Sequence, residues 1–255
     1  VLTIHDLNFL YDEKKNAAKR QKYIRTIQVL INRADAIVCI SGFSKQDVQE
    51  HLDTGNKPVY VIHNGTNTLE NPQLAPGSYQ PRKPYLFSLG VMNRKKNYHV
   101  LLPLLKDNTM ELLIAGKFDD PGYIDKFRKL TREMGVEGNV QLLGSISEHE
   151  KSWYLNNCRA FVFPSISEGF GLPVVEAMSC GKPIFLSDKT ALPEIGGDVS
   201  FYFTDFRPER MEEVFHRGMS RYATEGFQQK IRERSLHFNW ERTAREYLEV
   251  YRSLY

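Results

Sequence analysis

The stretch from Ala160 to Asp188 constrains this chain more than any other. Ala160 to Phe163 is an unbroken apolar run of the kind a buried parallel strand needs, and Pro164 ends it. Gly169 and Gly171 then let the backbone turn tightly and come close to a ligand. Pro173 suits the first turn of a helix, where its missing N–H costs nothing, and Gly181 suits that helix's C′ position. Pro183 to Leu186 is a second apolar strand. A strand that feeds a glycine loop and a helix N-terminus is a ready anion site, because N–H groups and the helix dipole point at the ligand.

Two carboxylates bracket this loop. Glu168 precedes the turn, and Glu176 follows eight positions later, near the start of the helix. Both face the place a phosphate would take, which is electrostatically unfavourable. Two readings are open. In one, Glu176 only stabilises the helix dipole and Glu168 is a solvated loop residue. In the other, both accept hydrogen bonds from hydroxyl groups on either side of the phosphate. A nucleotide sugar has that layout, with sugar hydroxyls, a diphosphate and ribose hydroxyls in sequence.

The segment from Ser167 to Pro183, SEGFGLPVVEAMSCGKP, closely resembles the E-x7-E signature of group 1 (family 4) retaining glycosyltransferases. These enzymes have the GT-B fold, two Rossmann-like domains facing each other across a cleft. The resemblance implies that Glu168 contacts the transferred sugar and that Glu176 holds the ribose. It implies that Phe170, Gly171 and Leu172, next to Gly169, offer backbone N–H groups to sugar or phosphate.

Other strand ends extend the resemblance. Val1 to Leu7 is a short apolar strand that ends in His5 and Asp6. Alone, such a pair is a satisfied polar pair at a strand end. Upstream of the glycine loop it is similar to the family's His-Asp-Leu, which implies that His5 lies in the cleft near sugar or acceptor. Tyr85 to Gly90 is a strand closed by glycine, and Arg94, Lys95 and Lys96 follow before a helix over 99–105. Cations beside a glycine turn suit a diphosphate, although such a run alone is a solvated loop. Gly90 with Lys96 and Asn97 resembles the family's phosphate clamp, which makes Lys96 the phosphate-binding lysine. Many members carry an arginine directly after the glycine. This chain has Val91 there, and Arg94 or Lys95 is the candidate to compensate. Met110 to Ala115 and Asn139 to Leu143 are further strands, ending in Gly116-Lys117 and in Ser145-Ile146-Ser147. The resemblance implies that these two ends hold the nucleotide base. Lys117 also reads as an ordinary surface lysine.

Strands and helices alternate through both halves, so the class is α/β with parallel sheets. The 255 residues allow one large or two modest domains. Residues 1–66 read as the closing part of an N-terminal, acceptor-side domain. The chain opens on Val1 inside a strand, so that domain is expected to be incomplete. Residues 66–84 read as a linker, 67–233 as the donor-binding domain, and 234–255 as a terminal helix crossing back to the first domain. A helix is expected over about 13–34, with Tyr23, Ile27, Leu30 and Ile31 at helical spacing. Its first half carries Lys14, Lys15, Lys19, Arg20, Lys22 and Arg25. That is either a solvated face or a surface for anionic lipid or a lipid-diphosphate acceptor. Ser44 is a plausible N-cap. Asn239 is another, for a helix whose apolar face comprises Trp240, Ala244, Tyr247 and Tyr251.

Composition closes off other classes. With 41% hydrophobic and 25% charged residues the chain can bury a core, and a net charge of +3 is too weak to argue for nucleic acid. Cys39, Cys158 and Cys180 lack metal-site spacing and lie in or beside apolar runs, which suits buried thiols in a reducing compartment. No apolar run is long enough to span a bilayer. The setting expected is therefore cytoplasmic, at most peripheral at the membrane inner face. No Asp-x-Asp occurs, and no metal or cofactor is expected. The resemblance implies a retaining, metal-independent transfer from a nucleotide-sugar donor to a glycan or lipid-linked acceptor, with GDP-mannose as the first donor to consider. Alternatives are another GT-B activity, such as a phosphorylase or sugar-nucleotide epimerase, and a donor-binding fragment that does not catalyse transfer.

Overall fold

The computed structural model describes residues 1–12, 15–67, 69, 72 and 75–254. In chain order the first five strands and α-helices are β1 (Leu2–Ile4), α1 (Ala17–Arg33), β2 (Ile37–Cys39), α2 (Gly42–His51) and β3 (Val59–Val61). They build a three-stranded parallel sheet in the order β1-β2-β3. After the connecting segment come β4 (Tyr85–Leu89), β5 (Glu111–Ala115), α3 (Pro121–Glu133), β6 (Val140–Gly144), α4 (Glu148–Asn157) and β7 (Ala160–Phe163). Then follow α5 (Leu172–Ser179), β8 (Ile184–Ser187), α6 (Leu192–Gly196), β9 (Phe201–Phe203), α7 (Pro208–Tyr222), α8 (Phe227–Ser235) and α9 (Trp240–Arg252). Here the sheet is six-stranded and parallel, in the order β6-β5-β4-β7-β8-β9.

The apolar runs do what a two-sided parallel sheet requires. Side chains alternate between the two faces with period two. Phe87, Leu113, Phe161, Phe163 and Leu186 enter one cluster, with Tyr154 of α4, Val175 of α5 and Ile231 of α8. Leu86, Leu112, Ile114, Val162 and Phe185 enter the other, with Leu101, Phe127 of α3 and Phe215 of α7. The three cysteines are free and buried.

Several sequence expectations shift. The helix placed at 13–34 starts at Ala17, capped by the Asn16 side chain. Glu13 and Lys14 lie outside the described residues. Lys15 precedes α1 and pairs with Asp12 at 2.6 Å. Of the expected apolar face only Ile31 is buried; Tyr23 and Leu30 are exposed, and Ile24 joins Ile27 against the small core instead. Ser44 does not cap α2: Ser41 does, accepting from the Ser44 N–H at 3.1 Å. The segment expected as a helix over 99–105 is a 3-10 helix, Tyr98–Leu105. Pro103 inside it lacks the N–H that an α-helical ladder needs.

Asn239 caps α9 as expected, but the helix is rotated from the expected face. Thr243 and Val250 are buried, whereas Trp240, Ala244 and Tyr251 are exposed. Val250 and Tyr247 pack on Ala36, Val38 and Ile62, so the last helix lies against the three-stranded sheet. The expected division at residue 233 falls inside α8. Phe238 still belongs to the core of the larger sheet, and the change of partner comes at Asn239, which bridges to Thr66.

Candidate active site

In the larger sheet the chain runs outward from β4 to β5 and β6, then returns to place β7 on β4's other side. The border between β4 and β7 is therefore a topological switch point. Ligands in open parallel sheets bind in the crevice at the carboxyl ends of the strands at such a border. β4 ends at Gly90 and β7 leads into Pro164 and the glycine loop.

The two strand ends bring Lys96 and Glu168 together. Lys96 closes a 3-10 turn, Arg94–Lys96, whose cap is the Asn93 side chain. Its Nζ lies 2.5 Å from Glu168 Oε1 and 4.5 Å from the centre of the Phe163 ring. Both side chains are nearly buried, 15% and 16% exposed. Ser165 Oγ lies 2.5 Å from the same carboxylate oxygen, and the Glu168 N–H donates to Thr190 Oγ1 at 2.9 Å. Glycine is required where the strand ends meet. A β-carbon on Gly116 would sit 2.0 Å from the Gly90 carbonyl oxygen, and one on Gly90 would sit 2.8 Å from Lys96 Cε. Gly90 thus lets the lysine stem cross the end of β4.

The other two cations of the run do not join this pair. Arg94 is exposed, with its Nε 3.9 Å from Asp120 Oδ2. The Lys95 carbonyl accepts from the Ile166 N–H at 2.8 Å. Both line a cleft of about 220 Å³ that Tyr11 and Asp12 close from the side of the smaller sheet. Lys117 is exposed beyond β5.

No side chain caps α5, whose N-cap is Gly171; Pro173 has no N–H, and those of Val174 and Val175 return to the Gly171 carbonyl at 2.9 and 3.4 Å, so in the first turn it is the Leu172 N–H that lies outside the helical ladder. Leu172 is exposed, and Phe170 is buried against His63 and Phe238. Gly181 closes the helix with φ +68 as expected, and the N–H groups of Gly181 and Lys182 return to Met178 and Ala177. Glu176 lies just past the first turn. Lys151 of α4 donates to its Oε1 at 2.7 Å and to Glu148 at 2.8 Å. Burial pushes the Glu176 carboxyl up, and Lys151 opposes this. Burial also works against the Lys151 charge, but its two carboxylate partners outweigh that and its pKa is raised. A lysine thus stands at each of the two carboxylates, Lys96 at Glu168 and Lys151 at Glu176, and the sequence showed neither pairing. Ser147 caps α4 in a capping box with Glu150, one turn before Lys151. Ile146 is half-buried against the core and Ser145 is exposed.

The smaller sheet reaches this loop directly. A β-carbon on Gly169 would meet Asp6 Cβ at 2.6 Å and the His5 carbonyl oxygen at 2.8 Å. His5 is exposed at that strand end, and its carbonyl accepts from Ser44 Oγ at 3.0 Å. Ser41 Oγ donates to the Gly169 carbonyl at 2.7 Å, and Ser167 Oγ to Asn8 Oδ1 at 2.5 Å. A second bridge was not foreseen. Glu194 of α6 accepts from the Gly42 N–H at 2.8 Å, where α2 begins, and its carboxylate lies 2.7 Å from His63 Nε2. Burial raises the Glu194 pKa, but His63 and the α2 N–H groups lower it more, and the net shift is down. The Leu-Pro-Glu of α6 looks locally like a first-turn acid for its own helix, so nothing in the sequence pointed across to α2.

Comparison with known proteins agrees with this architecture. The family model described as "Glycosyltransferase Family 4" matches residues 1–69. Among curated proteins, the O-antigen chain mannosyltransferase B of Escherichia coli is 27% identical over 220 residues, 78% of this chain and 55% of that protein. A serotype-specific mannosyltransferase WbdA of Escherichia coli is 26% identical over the whole chain, which spans 33% of its length. The chain therefore spans between a third and just over half of these relatives. Among solved structures, a sucrose-phosphate synthase from Thermosynechococcus elongatus superposes with a TM-score of 0.81 at 21% identity, covering 99% of this chain and 67% of that one. Anabaena HepE in complex with UDP-glucose superposes with a TM-score of 0.80 at 19% identity, covering 98% and 71%. These likenesses show the fold. The model described as "Glycosyl transferases group 1" matches residues 75–217, over half of the chain and every strand of the larger sheet, and the chain belongs to that family.

Proposed function

We propose that this chain binds a nucleotide-diphosphate sugar at the β4/β7 border and serves transfer of the sugar to an acceptor hydroxyl, with retention at the anomeric carbon and no metal. The observation that carries the reading is the Lys96–Glu168 pair at the switch point, beside the uncapped N-terminus of α5. Lys96 meets the diphosphate, with N–H groups around Phe170, Gly171 and Leu172 supporting it. Glu168 orients the sugar hydroxyls, and Glu176 holds the ribose. The β5 and β6 ends, at Gly116, Lys117 and Ser145 to Ser147, receive the base. His5 faces the sugar from the smaller sheet.

In the transfer step the acceptor oxygen bonds to the anomeric carbon as the bond from that carbon to the diphosphate oxygen breaks. The acceptor proton passes to the departing diphosphate on the same face. Lys96, the α5 dipole and the loop N–H groups stabilise the charge that develops on the leaving group. These fixed charges, and a sequence without Asp-x-Asp, support the metal-independent reading. The relatives named mannosyltransferases favour GDP-mannose as donor and a polysaccharide, lipopolysaccharide or glycolipid product. The neighbour solved with UDP-glucose keeps a uridine donor in the comparison.

A second reading, donor binding without transfer, is favoured by one placement. Every donor group named above except His5 comes from the larger sheet and its loops. Orienting two reactants supplies roughly 7–11 kcal/mol in favourable cases, so binding and transfer are separable. Calorimetry with GDP-mannose and UDP-glucose, paired with a transfer assay on the same preparation, tests both readings. A folded chain that binds neither donor overturns the site. Binding without transfer selects the second reading.

A further inference from the structure

We infer that Lys151 is a positioning residue of the donor site, holding the Glu176 carboxylate as an anion in one orientation towards the ribose. The inference rests on the reading of Glu176 as the ribose acceptor. Glu176 lies beyond the part of α5 where backbone N–H groups lack a helical partner, so its own helix offers the carboxylate no donor. It is only 16% exposed, and water compensates little of its charge. Lys151, 12% exposed, supplies the missing donor from the neighbouring helix. An ammonium has three protons and a carboxylate about four lone-pair sites. One proton takes Glu176 Oε1 and another takes Glu148 Oε2. Glu148 is 84% exposed, so it tethers the ammonium from the solvent side without drawing it out of the site. With Oε1 fixed, the carboxylate is oriented and its second oxygen is left for the two hydroxyls of a ribose.

The placement is rigid. Lys151 directly follows Glu150 of the capping box and lies one turn after Ser147, and its N–H donates to the Ser147 carbonyl at 2.9 Å. The same helix thus presents the candidate base loop at its N-terminus and the ribose carboxylate's partner on its next turn. The charged and titratable groups facing Glu176 are Lys151 and Glu148 from α4 and, just past the end of its own helix, Cys180, whose thiol burial pushes up to about 11. Lys151 lowers the Glu176 pKa while burial and the Glu148 anion raise it, so without Lys151 protonation of Glu176 would set in at a higher pH.

The test compares UDP and GDP with their 2′,3′-dideoxy counterparts by calorimetry between pH 5.5 and 8. The proteins are the unaltered chain, Lys151→Met, Lys151→Arg, Glu176→Gln and the Lys151→Met/Glu176→Gln double variant. A charge-assisted hydrogen bond to hydroxyls makes the unaltered chain prefer the ribose form by roughly 10- to 100-fold. Lys151→Met is expected to lose most of that preference, and its remaining affinity for the ribose form to fall more steeply as pH drops. Lys151→Arg restores the preference, and the double variant is no weaker than Glu176→Gln alone. Lys151→Gln keeps a donor without the charge and replaces the methionine variant if that one fails to fold. No ribose preference in the unaltered chain overturns the reading of Glu176 itself. A clear preference there, kept in full by Lys151→Met with an unchanged pH profile, overturns the role of Lys151 alone.

Discussion

Replacing Lys96 with methionine separates what this lysine does for the fold from what it does for a ligand. Its ammonium neutralises Glu168 at 2.5 Å and lies over the Phe163 ring. Removing one partner of a fully buried ion pair costs about 3–5 kcal/mol, because the other charge stays behind. Glu168 keeps Ser165 Oγ and is slightly solvated, so the expected loss of stability is smaller, about 1–3 kcal/mol. The lost contact with Phe163 adds about 0.5–1 kcal/mol. Adding Glu168→Gln removes the stranded charge and should return most of the ion-pair share. Affinity should behave differently. A hydrogen bond to a charged phosphate is worth about 1.5–3 kcal/mol, a factor of roughly 10–150 in Kd, and the second substitution does not replace it. Urea unfolding and calorimetry with GDP-mannose and UDP-glucose on both variants read the two quantities separately. If the double variant regains donor affinity together with stability, Lys96 is only a counter-ion for Glu168. If Lys96→Met binds donor unchanged, the diphosphate lies elsewhere.

Four further outcomes are expected. Glu194→Ala removes the acceptor at the start of α2 and the partner of His63, and should cost about 1–3 kcal/mol near neutral pH. Because the folded-state pKa of Glu194 is depressed, this contribution is present above the ordinary value of about 4.3 and is lost as pH falls through the folded pKa. Urea titrations at pH 7 and pH 3 should show the gap to the unaltered chain closing, and a constant gap would refute the linkage. Gly116→Ala forces a β-carbon against the Gly90 carbonyl at φ +144, and about 2 kcal/mol or more of destabilisation in thermal unfolding is expected, together with weaker nucleotide binding. Donor affinity measured with and without EDTA should be equal, and a strict Mg²⁺ or Mn²⁺ requirement would argue against electrostatic stabilisation by Lys96. Exposed Lys19, Lys22 and Arg25 on α1 should favour anionic over neutral vesicles in low-salt sedimentation, at about 1 kcal/mol per cation near the surface. Equal sedimentation would leave them as a solvated face.

The parts of this protein that depend only on neighbours in the chain were legible in its amino-acid sequence. The apolar runs at 85–89, 111–115 and 160–163 read as buried parallel strands because alternate residues must satisfy two helical layers at once, and they do. The glycine loop before α5, with Pro173 inside the helix and Gly181 beyond it, was legible for the same reason. Turn, first helical turn and αL cap are each set by the φ values that one or two residues allow. Periodicity failed where it left more than one face plausible. α9 lines Trp240, Tyr247 and Tyr251 along one face with Val250 on the flank beside it, and only the packing of Val250 and Tyr247 on the smaller sheet chose which side is buried. Ser41 and Ser44 are equally good caps as residues, and the start of the helix decided between them. The charge pairs were beyond local signals altogether. Lys151 and Glu176 are 25 positions apart, and Glu194 is 152 from Gly42. An ion pair leaves no periodic trace in the chain, because its partners are selected by where two helices come to lie after the sheet has formed. Local residue order thus places the glycine loop, and only the packed helices and strand ends bring Lys96 to Glu168 and Lys151 to Glu176.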